Sequence, residues 1–118
     1  MKWEIRRYLI FELRRRGEIK KELDKVRMKI STMKEKGTVD PMAENLLNRE
    51  QNLCRLHSAI SAVYDEMDED ETMVAKLKFG KKRLSDMEII EQLPMERSAY
   101  YAKVRNILKR LATKLGVG

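Results

Sequence analysis

The side chains best suited to chemistry lie on a helical stretch that begins at Glu96. Arg97 and Arg105 stand two turns apart on one side of it, with Tyr101 between them. That arrangement suits phosphate oxygens or the edge of a guanine. Other candidate groups are weaker. Cys54 and His57 are three residues apart and could offer two ligands to a metal, but the chain has one Cys and one His. A zinc site needs three or four protein ligands, and the same scarcity speaks against a Cys/His nucleophile. The run from Asp65 to Glu71 places six acids in seven residues. Consecutive carboxylates point all round a helix and do not converge on a cation or a proton, so a solvated junction is expected there. There is no Gly-rich phosphate loop and no HExxH-type motif. The expectation is a protein that is not an enzyme and that holds no metal or cofactor.

The elements that position the arginines run from Ser85 to Leu115. Tyr100, Val104, Ile107, Leu108, Leu111 and Leu115 recur in steps of one, three and four, as one stripe of an α-helix. Ahead of them, Ser85 stands three residues before Glu88, as in a capping box, and Ile89, Ile90 and Leu93 supply a buried side. Pro94 has no N–H to donate and biases Leu93 away from the helical region, so one continuous helix is forbidden. Met95 is a candidate plug between the two helices. A short helix, a tight turn and a second helix is the helix-turn-helix layout.

Composition agrees with an all-α chain. Of 118 residues 38% are charged, and there are only five Gly and two Pro, a mix that favours long helices. Apolar residues, at 42%, suffice for a narrow helical core. The net charge of +7 favours an anionic partner. No apolar run approaches the roughly 20 residues of a membrane span, and no secretory signal follows Met1, so no membrane role is expected. A single cysteine suits a reducing, cytoplasmic compartment. The charge is uneven. Residues 1–36 carry 13 basic and 6 acidic side chains, residues 37–69 carry 2 and 7, and residues 70–118 carry 11 and 6. The acidic middle would neutralise its neighbours on packing.

Residues 1–69 read as an antiparallel, coiled-coil-like helical hairpin. Ile5, Tyr8, Leu9 and Leu13 form one apolar side, and Ile19, Leu23, Val26, Ile30 and Met33 form a heptad seam. Between the two lies Gly17, where a weak point or register change is expected. Arg14, Arg15 and Arg16 could touch phosphates, although a charge run on a helix is usually a solvated face. Gly37 is placed to end the first arm, with Asp40 and Pro41 as cap and first residue of the second. That arm carries Met42, Leu46, Leu53, Leu56, Ile60, Val63 and Met67, interrupted at Arg49. Pairing outward from the loop matches Met33 with Met42, Ile30 with Leu46, Leu23 with Leu53 and Ile19 with Leu56, and places Arg49 near Val26. A further helix, Thr72 to Phe79, is expected to pack through Met73, Leu77 and Phe79. A second domain over residues 70–118 would then hold the helix-turn-helix.

From Asp68 to Gly116 the chain resembles a known family. Its helix, basic loop, LSDMEIIEQL, PMERSAYYAKVRNILKRLA and final KLG are similar to the end of phage late-gene activators of the RinA and ArpU type. Related phage-encoded sigma-like proteins share this part, which looks like region 4 of bacterial sigma factors. The most telling stretch runs from Met95 to Tyr101, close to a family pattern of apolar, Ser, Arg, Ser, Thr, Tyr, Tyr. This chain departs from that pattern at Glu96 and Ala99, where hydroxyl residues are usual. The resemblance implies that Glu96, Arg97, Ser98, Tyr101, Ala102 and Arg105 face double-stranded DNA, and all six fall off the apolar stripe. It also implies backbone contacts from Lys81, Lys82 and Arg83, and a partnership with bacterial RNA polymerase. The hairpin offers a surface for homo-oligomer formation. Two other readings compete with a sequence-specific transcription regulator. One is a DNA-packaging or assembly protein of small-terminase type. The other is a partner-binding helical regulator that does not touch DNA.

Overall fold

A computed structural model describes residues 1–37 and 41–118 of the chain. Among them all regular structure is helical: α1 (Trp3–Arg14), α2 (Arg16–Lys36), α3 (Ala43–Asp65), α4 (Glu69–Lys78), α5 (Asp86–Gln92) and α6 (Arg97–Leu115). None of these helices is long and apolar enough to cross a membrane.

The chain divides into two compact units, one formed by residues 15–58 and the other by residues 1–14 with 59–118. This grouping differs from a division at residue 69. Helix α1 packs against α6, and the last turns of α3 belong with α4, α5 and α6. The reason is in the apolar stripes. Leu9 and Leu13 of α1 are buried in one unit and Ile19, Leu23 and Val26 of α2 in the other. From Leu13 to Ile19 is a step of six, which matches neither the three- nor the four-residue spacing of a single helical face. The helix is interrupted accordingly, at Arg15 (φ −90°, ψ 7°), two residues ahead of the expected Gly17.

Within residues 15–58, Ile19, Leu23, Val26 and Leu53 form the buried apolar set. Arg49 reaches Glu22, one turn before Val26, and Arg27 donates to the Cys54 sulfur at 3.7 Å. Ile30, Met33, Ala43 and Leu47 line a small hollow beside Gly37. Gly37 closes α2 in the left-handed conformation (φ 61°), where a side chain would be strained. Met42 stands 58% exposed and is no part of a buried seam. The expected cap Asp40 lies outside the described residues.

In the other unit α6 is the central element. Tyr100, Val104, Ile107, Leu108, Leu111 and Leu115 are all buried. Helices α1 and α4 pack on it, while α5 packs on α4. Helix α4 starts three residues before the expected Thr72. Asp68 caps it, accepting from the Glu71 amide at 2.7 Å, while Glu71 reaches back to the Asp68 amide at 3.4 Å. With the start moved, the buried side rotates. Val74, Ala75 and Phe79 are buried, Leu77 is half-buried, and Met73 is exposed.

Candidate nucleic-acid interface

The candidate surface is built on two adjacent tyrosines with opposite fates. Tyr100 lies on the apolar stripe and is fully enclosed. Its hydroxyl donates to the Asp86 carboxylate at 2.5 Å, and the Lys78 ammonium donates to the same oxygen at 2.8 Å. One carboxylate on the first turn of α5 thus fastens α4, α5 and α6 together. Burial raises the Asp86 pKa, but the hydrogen bonds from Lys78 and Tyr100 outweigh it and hold the group below the usual carboxylate range. Burial, followed by the bond to Asp86, pushes the Tyr100 hydroxyl well above the usual phenol range. The start of α5 is fixed by Ser85, whose hydroxyl accepts from the Glu88 amide at 3.2 Å.

Tyr101 is one residue, and so about 100° of helix, further round. Its ring meets that of Tyr100 edge-on, with centroids 5.1 Å apart, and stays half-exposed. The Arg97 guanidinium stands 5.9 Å from the Tyr101 ring centroid, a cation–π arrangement that orients the arginine without neutralising it. Glu96, Arg97, Ser98 and Tyr101 line one shallow open depression at the start of α6. Glu96 caps the helix through its backbone conformation and makes no side-chain cap bond. Half-buried Ala102 and exposed Arg105 continue along the helix, and Lys81, Lys82 and Arg83 are exposed between α4 and α5.

The remaining cations of α6 have a different environment. Lys103 pairs with Asp68 at 3.2 Å and Lys114 with Glu66 at 2.7 Å. Arg110 forms an ion pair with Glu71, which is buried, and also donates to the Glu66 carbonyl at 3.4 Å. Half of the acidic run is therefore a clasp along one flank of α6 and not a solvated junction. Sequence reasoning missed this role, although Lys103, Arg110 and Lys114 recur at seven and four residues, which places them on one side of the helix. Arg97, Arg105, Lys109, Lys81, Lys82 and Arg83 make no ion pair among the described residues.

Compared with known protein families, curated proteins and solved structures, the chain matches none. The chemistry of this surface rests on its own residues. They offer exposed guanidinium and ammonium groups outside any ion pair among the described residues, one of which, Arg97, stands against the Tyr101 ring on a helix whose far side is buried in a core. Elsewhere, Cys54 is in contact with Arg27 and His57 is half-buried. No group of three or more His, Cys, Asp or Glu converges among the described residues.

Proposed function

We propose that the protein is a sequence-specific DNA-binding transcription regulator, a phage- or prophage-encoded sigma-like activator of late genes. In this reading α5 and α6 act as a helix-turn-helix, and the first half of α6 enters the major groove. Helices α2 and α3 form an antiparallel hairpin that serves for association with a second copy.

The observation that carries the proposal is the sorting of charge on α6. Its cations divide into a set already paired with Glu66, Asp68 and Glu71 and a set left to solvent, namely Arg97, Arg105 and Lys109. An exposed cation with no internal partner is available to a phosphate or a base edge. Arg97 of this set shares the start of the helix with Ser98 and Tyr101, and the basic segment 81–83 belongs to the same unit. Contact with RNA polymerase and residence in a bacterial cytoplasm rest on the resemblance to sigma region 4 alone.

Binding-site selection from a random duplex library, followed by anisotropy titration of the selected duplex, tests the proposal. Arg97→Ala and Arg105→Ala are each expected to weaken binding by about 1–3 kcal/mol if the lost contact is bidentate to a base. Tyr101→Ala is expected to keep the fold and lose affinity. A folded Tyr101→Ala protein with parental affinity would place the DNA surface elsewhere.

A further inference from the structure

The run Arg14-Arg15-Arg16 is split by the fold. Arg15 and Arg16 open the unit of residues 15–58, where Arg15 is ion-paired with Glu22 at 3.6 Å. Arg14 ends α1 and belongs to the other unit. It is exposed, and its guanidinium donates from Nε to the Lys78 carbonyl at 3.4 Å. It enters no ion pair among the described residues. One hydrogen bond to a neutral acceptor orients the planar fork and leaves four of its five N–H donors to other acceptors.

Lys78 also closes the base of a basic loop. Its ammonium meets the Asp86 carboxylate at 2.8 Å, so both ends of the segment 79–85 are tied. Phe79 is buried beside that tie. A side chain at Gly80 would place its Cβ 2.3 Å from the Lys76 carbonyl oxygen, so glycine lets the chain turn this close to the end of α4. Leu84 is half-buried and Ser85 caps α5. What the loop presents outward is Lys81, Lys82 and Arg83, all exposed. Lys81 is three residues beyond Lys78 and therefore within about 11 Å of it. Arg6, earlier on α1, stands near the other end of the loop: after burial and the hydrogen bonds from Lys78 and Tyr100, its charge further holds down the Asp86 pKa. Helix α1 thus accompanies the loop at both of its ends.

We propose that Arg14, Lys81, Lys82 and Arg83 form one clamp for the phosphate backbone of duplex DNA, built from α1 and the loop between α4 and α5. The inference rests on the reading of the chain as a DNA-binding protein, but not on α6 lying in the groove. Phosphates follow one another at about 3.4 Å of helix axis on each strand, so cations gathered from two elements can meet several at once. The guanidinium fork of Arg14 takes a phosphate through paired donors, and the lysines add point charges beside it. No large apolar side chain is exposed between Lys78 and Asp86. A protein partner calls for such anchors at the centre of its interface, and a bilayer calls for an apolar face beside the cations. A phosphate backbone needs neither, because charge alone binds it.

Anisotropy titrations of the full chain with a duplex of arbitrary sequence, at several salt concentrations, test the clamp. Arg14→Gln, checked by circular dichroism for parental helicity, is expected to flatten the dependence of log affinity on log salt by about one unit. Arg14→Lys keeps the charge and should keep the slope. Lys25→Gln removes an equally exposed charge from the other unit and should also leave the slope unchanged. The effect of Arg14→Gln should persist in the Arg97→Ala, Arg105→Ala background, so failure of base reading by α6 leaves the result intact. A parental slope in Arg14→Gln overturns the clamp while the DNA-binding reading stands. Equal flattening by Arg14→Gln and Lys25→Gln overturns it too, as an effect of net charge alone. Equal flattening by Arg14→Gln and Arg14→Lys also overturns it, making Arg14 a tether of the loop that touches no phosphate. A parent chain that binds no duplex at low salt removes the DNA-binding reading and the clamp together.

Discussion

At the scale of single residues the structure turns on the phase of the helix at positions 100 and 101. Tyr100 falls on the stripe shared by Val104, Ile107 and Leu111 and is enclosed; Tyr101 falls off it and stays accessible. That distinction was legible in the sequence, because a 3.6-residue period fixes which of two neighbours faces inward. The polar contact that completes the site was not. Asp86 lies eight residues from Lys78 and fourteen from Tyr100, and no local spacing rule links them. A pH dependence follows from this cluster. Folding lowers the pKa of Asp86 below the ordinary 3.8, so its stabilisation is full above that value and is lost as pH falls through the folded pKa. Thermal melts of the parent and of Asp86→Asn between about pH 5 and about pH 2 should converge on acidification. Curves that stay parallel would remove Asp86 as the acid-sensitive group. Tyr100 has the opposite sign: its pKa is raised above 10.0, so its contribution is present below pH 10.0 and is lost as pH rises through the folded value. Tyr100→Phe should cost about 1 kcal/mol at neutral pH, the net value of one hydrogen bond, and should remove that alkaline loss.

Helices were legible where apolar period and end signals coincide. The Ser85 cap, the interruption at Pro94 and the whole stripe of α6 were readable for that reason. Where a strong composition cue competed with the period, the reading slipped. Six acids in seven residues look like a solvated stretch, so Asp68 was not recognised as a cap or Glu71 as a buried partner of Arg110. The late start then assigned the buried side of α4 to Met73 instead of Val74. Gly17 drew attention to the wrong residue for a similar reason. Its cost within a helix is about 1 kcal/mol, which neighbouring turns can offset, whereas a six-residue step between stripes cannot be absorbed by one straight helix. Two substitutions test these assignments. Glu71→Ala removes both the ion pair to Arg110 and the reciprocal half of the cap, and should destabilise the fold by about 2–4 kcal/mol in urea unfolding. A loss within the few tenths typical of a surface site would mean that the clasp along α6 is incidental. Leu23→Asp or Leu53→Asp introduces a charge among the buried side chains of α2 and α3 and should cost several kcal/mol. Circular dichroism melts at the parental temperature would count against that packing.

For the molecule as a whole, net charge overstates what a polyanion meets. The chain carries +7, but the cations that make up this excess are not equivalent. Lys103, Arg110 and Lys114 already face Asp68, Glu71 and Glu66, and Lys78 already faces Asp86. A cation with an internal carboxylate condenses no phosphate of its own unless that pair first breaks, so it should release no counterion on binding. The slope of log affinity against log salt counts released counterions at about 0.9 per neutralised phosphate on duplex DNA. The slope should therefore follow the exposed set and ignore the paired one. Lys82→Ala is expected to flatten the slope by about one unit and to weaken all duplex sequences alike. Lys103→Ala removes the same formal charge a few residues from Tyr101, yet should leave the slope unchanged and alter affinity little. Anisotropy titrations of both variants at several salt concentrations separate the two cases. Equal flattening by Lys82→Ala and Lys103→Ala would mean that the acidic clasp opens on DNA, and that the sorting of charge on α6 does not define the binding face.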